Sequence, residues 1–115
     1  MSLIEKRFKE EHAEWTLIAE VDRESGFAKR VRIEKISERW NKHYTSVLTI
    51  SHVEYENMLY FKITINDIIV LVPDLGEAPS FWRVDEIEKI EAINDLKIYV
   101  YDIVDFICDC ISFYD

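Results

Sequence analysis

Cys108 and Cys110, one residue apart, are the only thiols in the chain, and His12, His43 and His52 are its only imidazoles. A thiolate pair could supply half of a zinc site. Structural zinc, however, needs four ligands that include a C-x2–4-C or H-x3–5-H pair. Two positions apart on a helix, side chains diverge by about 200°, and the histidines share no ligand spacing with the cysteines. A disulfide across so short a loop would be strained. The expectation is a pair of apolar thiols, no metal and no cofactor.

Asp102, Asp105, Asp109 and Ser112 step by 3, 4 and 3, so they lie along one side of a helix. Hard cations want six or more oxygens, usually gathered by a loop containing glycine. Three aspartates on a helix read instead as a solvated ridge, with Asp102 suited to the N-cap.

His52 and Glu54 fall on one face of a strand, with His43 and Tyr44 a strand-length away. A His–Glu pair can act as general acid and base when a pocket tunes it. No nucleophile motif accompanies it, since Ser25 and Ser80 lack the flanking glycines of a nucleophile elbow. A small-ligand site or weak enzyme nevertheless stands as the alternative reading. Its pocket would lie between sheet and helix, lined by Tyr44, Tyr55, Phe61 and Tyr99, with His52 and Glu54 as polar groups. Gly26 and Gly76 are the only glycines, so no G-x-G-x-x-G loop exists to cradle a nucleotide.

Charge carries more information than any of these groups. Residues 1–43 hold ten Lys/Arg against nine Asp/Glu, whereas residues 44–115 hold four against fourteen, within a total of −9. From Asp74 onward there are eleven carboxylates and only Arg83, Lys89 and Lys97 to oppose them. Such a half attracts a basic partner, speeds its approach and selects against wrong ones. Phe81-Trp82, after the Pro79-Ser80 bend, offers an aromatic anchor. The expected site is therefore Trp82 as anchor, with Asp85, Glu86, Glu88, Glu91 and Asp95 as steering charge.

The segment from Lys29 to Lys42 is the basic counterpart, carrying Lys29, Arg30, Arg32, Lys35, Arg39 and Lys42 against Glu34 and Glu38. With Trp40 and Tyr44 it has the ingredients for single-strand nucleic-acid contact. A pI near 4.8 argues against that partner. Pairing of this strand with the acidic half inside the molecule is the expectation. No stretch of 18 uncharged apolar residues is present to span a membrane, and residues 1–11 are too charged for a signal-peptide core. These features, with the two thiols, suit a reducing cytoplasm.

The elements that must hold these residues follow from periodicity. Ser2-Leu3-Ile4-Glu5 has the form of a capping box, and Ile4, Phe8, His12 and Trp15 form a stripe, which predicts a helix over about 3–13. Trp15, Leu17, Ala19 and Val21 alternate with Thr16, Ile18, Glu20 and Asp22 and, across an Asp22–Gly26 turn, predict a hairpin over 15–37, with a helical continuation of 14–22 as the competitor. A second hairpin is expected over 44–55 and 58–66. Ile68–Val72, an unbroken apolar run that is β-branched except at Leu71, predicts a strand covered on both faces. Ile87, Ile90 and Ile93 predict a short helix, Leu96–Tyr101 a strand, and the rest a terminal helix buried on most of its circumference. Covering by a second copy of that helix, a homodimer, would meet its apolarity.

Together these predict one α+β domain over residues 1–115. It is a mostly antiparallel sheet of five or six strands packed against an N-terminal and a C-terminal helix. The expected function is that of a non-enzymatic cytoplasmic interaction protein, of inhibitor or immunity type, docking its acidic face on a basic macromolecule.

Overall fold

A computed structural model describes residues 2–113, and the side chains of residues 2–110. Six strands follow one another, each pairing antiparallel with the next: β1 (Ser2–Lys9), β2 (Ala13–Asp22), β3 (Phe27–Arg39), β4 (Lys42–Tyr55), β5 (Met58–Ile65) and β6 (Ile68–Pro73). A 3-10 turn at Ser80–Trp82 leads into α1 (Val84–Glu88) and the long α2 (Ile93–Phe113).

Alternation decides which face of the sheet is covered. In β2, Trp15, Leu17, Ala19 and Val21 are buried while the residues between them are not. Register then aligns apolar positions across the whole sheet, and one row runs Ile4, Ala19, Val31, Ile50, Ile63, Val70. Onto this face α2 lays Leu96, Tyr99, Ile103 and Ile107, spaced 3, 4 and 4, the stripe that faces a core. The next row on the opposite face runs Glu5, Ile18, Arg32, Thr49, Thr64, Ile69. No element covers that face among the described residues. The accessible surface, 8052 Å², accordingly exceeds the roughly 6,600 Å² expected of a chain this size. The molecule is a slab of 47 × 36 × 20 Å.

Turn chemistry fixes the hairpins. Trp40-Asn41 and Glu56-Asn57 take positive φ at both central positions, the geometry whose twist matches paired strands. Gly26 (φ 82°) closes the β2–β3 turn, and its carbonyl accepts the Val84 N–H at 2.9 Å, which docks the start of α1. The Glu20/Val21 irregularity leaves Lys29 as the extra residue of β3.

Several expectations are corrected. The N-terminal segment is strand β1, not a helix: Ile4 and Phe8 are four apart, a spacing that strand and helix share. Between them Lys6 also points to the helix side, where its Nζ donates to the carbonyls of Glu88 (2.8 Å) and Ile90. A lysine on an inward position hid the alternation. Residues 14–22 are strand, as the hairpin reading has it. Leu96–Tyr101 belongs to α2 and not to a strand, and Asp102 sits inside that helix. The capping carboxylate is Asp95, whose Oδ2 accepts the N–H groups of Glu91 and Ala92 at 3.1 Å. β6 is an edge strand covered on one face only, and α2 buries one stripe and leaves Ile98, Tyr101 and Val104 exposed.

Candidate functional site

The loop after β6 and the two helices carry the excess carboxylates, so the charge asymmetry of the sequence becomes an asymmetry between layers. Trp82, the expected anchor, is 1% exposed and belongs to the core. Its ring lies edge-on to Phe61 at 5.4 Å and 5.6 Å from His52. Proline before the 3-10 turn aims Phe81 and Trp82 inward, and an aromatic pair in a loop plugs the end of the core here.

The carboxylates do converge, in a different manner from the expectation. On α1, Asp85 pairs with Arg83 at 3.0 Å, Glu86 with Lys89 at 3.3 Å, and Glu88 with Arg23. All are exposed pairs of small energetic weight. Asp95 serves as a cap. Glu91, Asp102, Asp105 and Asp109 are exposed and have no ion-pair partner among the described residues. Between α1 and α2 a shallow cleft of about 160 Å³ brings Glu86, Asp95 and Asp102 around Ile98, together with Lys89, the partner of Glu86. Tyr101, one residue before Asp102, is 68% exposed. Sequence reasoning missed Ile98 and Tyr101 because it assigned them to a strand. In a helix their 3-residue step places them together on the outer side.

The basic strand does not neutralise this surface. Arg32 pairs with Glu34 at 3.0 Å, Lys35 lies over the Trp15 ring at 4.8 Å, and Arg39 lies over Trp40 at 5.2 Å. Only two ion pairs between described residues join the sheet to the helices, Arg23–Glu88 and Lys97–Glu10, the latter at 2.6 Å. The expected pairing of the Lys29–Lys42 segment with the acidic half is corrected: among the described ion pairs none of its cations reaches that half, and Arg23, which does, lies in the β2–β3 turn. Arg30 and Arg32 share the bare face of the sheet instead.

His52 finds a carboxylate, but it is Asp74 rather than Glu54: Nε2 and Oδ2 are 2.8 Å apart. Asp74 Oδ1 accepts the Gly76 N–H at 3.0 Å, so the same side chain shapes the loop. His52 stacks on Phe61 at 4.6 Å, which makes the pair a clasp between β4 and the β6 exit. The Asp-x-Gly turn after Pro73 was the available signal. Tyr44 and Tyr55 stand exposed near opposite ends of β4, whereas Tyr99 is buried and donates its hydroxyl to the Phe81 carbonyl at 2.7 Å. These rings do not line a common pocket with Phe61. Burial pushes the Tyr99 phenol well above its ordinary range.

Cys108 lies on the exposed side of α2 and Cys110 on the half-buried side, as a two-residue helical step requires. Burial, and secondly Asp109, pushes the Cys110 thiol up. Among the described residues no three His, Cys, Asp or Glu gather to hold a metal ion, and no helix is long and apolar enough to cross a membrane. Comparison with known proteins finds no matching family, curated protein or solved structure.

Proposed function

We propose that this protein is a non-enzymatic, cytoplasmic interaction protein, of inhibitor or immunity character, that docks the outer face of α1 and α2 on a basic macromolecular partner. The observation that carries the reading is the α1–α2 cleft. There Ile98 sits among Glu86, Asp95 and Asp102, and exposed Tyr101 adjoins the carboxylates of α2 that lack cations. Net steering charge comes from Glu91, Asp102, Asp105 and Asp109, which lack cations among the described residues, while Asp85, Glu86 and Glu88 are each matched by a basic neighbour and Asp95 serves as the cap. The anchor is Tyr101 with Ile98, because Trp82 is inside. An amphipathic ring beside desolvatable apolar surface is the usual composition of an interface centre. The bland alternative, a solvated helix face, would keep the charges but gives no reason to expose Ile98 and Tyr101 among them.

Affinity capture from lysate of the source cells tests this, with the native chain and a Tyr101→Ala, Asp102→Asn, Asp105→Asn variant at low and high salt. The screening length shrinks from about 10 Å at 0.1 M to about 3 Å at 1 M. The captured proteins should be basic, held at low salt, released at high salt and lost by the variant. Equal retention at both salts, or equal capture by the variant, would refute the reading.

A further inference from the structure

The two edges of the sheet are built differently. β1 carries Glu5, Lys6, Arg7 and Lys9, with Arg7 paired to Glu5 at 2.8 Å and Lys6 turned inward. Charges and inward-pointing lysines are the means by which edge strands are kept from pairing. β6 has no charged residue between Ile68 and Pro73, and Ile68 (67% exposed), Ile69 (59%) and Leu71 (52%) are open.

Its backbone is equally open. The Asp74 N–H donates to the Leu59 carbonyl at 2.9 Å, and Phe61 faces Val72, Ile63 faces Val70 and Ile65 faces Ile68. Hydrogen-bonded positions alternate along an antiparallel pair. The peptide groups of Ile68, Val70 and Val72 therefore turn toward β5, and those of Ile69, Leu71 and Pro73 turn outward. Pro73, which has no N–H to lose, stands at the outward position that ends the row.

We propose that β6 is the seam of a two-fold homodimer, in which β6 of a second copy pairs with it antiparallel about Val70. In this register the Ile69 N–H meets the Leu71 carbonyl of the second copy and the Leu71 N–H meets its Ile69 carbonyl, each contact repeated by symmetry. Ile69 and Leu71 become cross-strand neighbours on the bare face. On the helix side, Ile68 of the second copy falls opposite Val72. There a mostly apolar groove of about 450 Å³ between β6 and α2 is lined by Phe61, Val70, Leu75 and Phe106, with the carboxylates of Glu77 and Asp109 also on its wall. The most exposed side chain of the strand thus enters the apolar groove beside it, a self-complementary fit. A single bare edge also closes the assembly at two, since the guarded β1 edges remain outside and no filament can grow.

A foreign strand is the rival occupant. The self-complementary register favours the second copy, and salt separates the two cases. Asp67 flanks the seam and Glu77 and Asp109 line the groove beside it, so two copies repel across it and salt should tighten the dimer. A basic strand would be weakened by salt instead. The inference is independent of the proposed docking through α1 and α2.

Sedimentation equilibrium of the native chain at about 1–100 µM, the range of micromolar dissociation constants, tests it in low and high salt. The expected result is monomer passing to dimer, with tighter association at high salt. Leu71→Lys, at an exposed position, should weaken association at least tenfold and keep the circular dichroism of the native fold. Tyr101→Lys on α2 should change nothing. In the native dimer the Ile69 and Leu71 amides should exchange with solvent more slowly as concentration rises. Monomer throughout at high salt, open-ended growth, or loss of the dimer by Tyr101→Lys but not by Leu71→Lys would overturn the proposal. So would unchanged exchange at those two amides.

Discussion

Lys97 donates from Nζ to Glu10 Oε2 at 2.6 Å, and the other oxygen of Glu10 accepts the Trp15 indole N–H at 2.7 Å. One carboxylate at the β1–β2 turn thus holds the first turns of α2 and a core ring of β2 at once. The relationship inverts the overall charge distribution: a cation of the acidic half meets an acid of the basic half. The link ties the first turns of α2 to the β1–β2 turn, while the buried stripe of Leu96, Tyr99 and Ile103 sets the face that α2 turns to solvent.

The hydrogen bond from Lys97, then that from Trp15, holds the Glu10 carboxyl below its ordinary value of 4.5. A carboxyl whose folded pKa is depressed contributes stability that is present above the unfolded pKa and is lost as pH falls through the folded one. Glu10→Gln should therefore lower the urea midpoint near neutral pH. The difference from the native chain should shrink as pH drops below 4.5, the ordinary value, toward the depressed folded one. A gap that stays constant from pH 7 to pH 3 would show that the carboxylate is not the group responsible.

The buried Tyr99 hydroxyl is the sole side-chain donor to the Phe81 carbonyl among the described hydrogen bonds, and it ties α2 to the 3-10 turn. Tyr99→Phe keeps the ring and strands that acceptor in the core. Leaving a buried acceptor unpaired costs about 1–3 kcal/mol. Urea unfolding should register that loss, and hydrogen exchange should quicken at Trp82 and Arg83, the amides of the turn. A variant as stable as the native chain would mean that water replaces the hydroxyl.

The strands were legible where the two faces differ in polarity. Leu59, Phe61, Ile63 and Ile65 alternate with Tyr60, Lys62, Thr64 and Asn66, and that pattern places β5 correctly. It fails where a side chain contradicts its face. Lys6 points inward because two helix-end carbonyls receive it, and β1 then looks like a helix. Ile69 and Leu71 point to a face that no element covers among the described residues, and β6 then looks like a central strand. Leu96–Tyr101 reads as strand locally, yet Leu96, Tyr99 and Ile103 keep a helical spacing that Asp95 caps. The acidic half was plain from composition. Its anchor was not, because the side that Trp82 and Tyr101 face is decided by the Pro79 turn and the run of α2, both tertiary matters.

Lys6 is the member of β1 that both guards the edge and fastens the helix layer. Its ammonium serves the carbonyls of Glu88 and Ile90 at the end of α1, where helix geometry leaves acceptors without intrahelical donors. A positive charge at that end also complements the negative pole of the helix, although a helix of five residues has only a small one. Lys6→Met keeps most of the stem and removes the donor. Hydrogen bonds to a charged group contribute about 1.5–3 kcal/mol each, and less where water reaches them, as it does for Glu88. The variant should lose stability within that range for the pair, with α1 opening before the sheet: the amides of Ile87 and Lys89 should exchange faster while those of Ile50 and Ile63 hold. Lys6→Arg should recover part of the loss. Uniform acceleration across sheet and helix, or none at α1, would place the contribution of Lys6 in the strand rather than at the helix end.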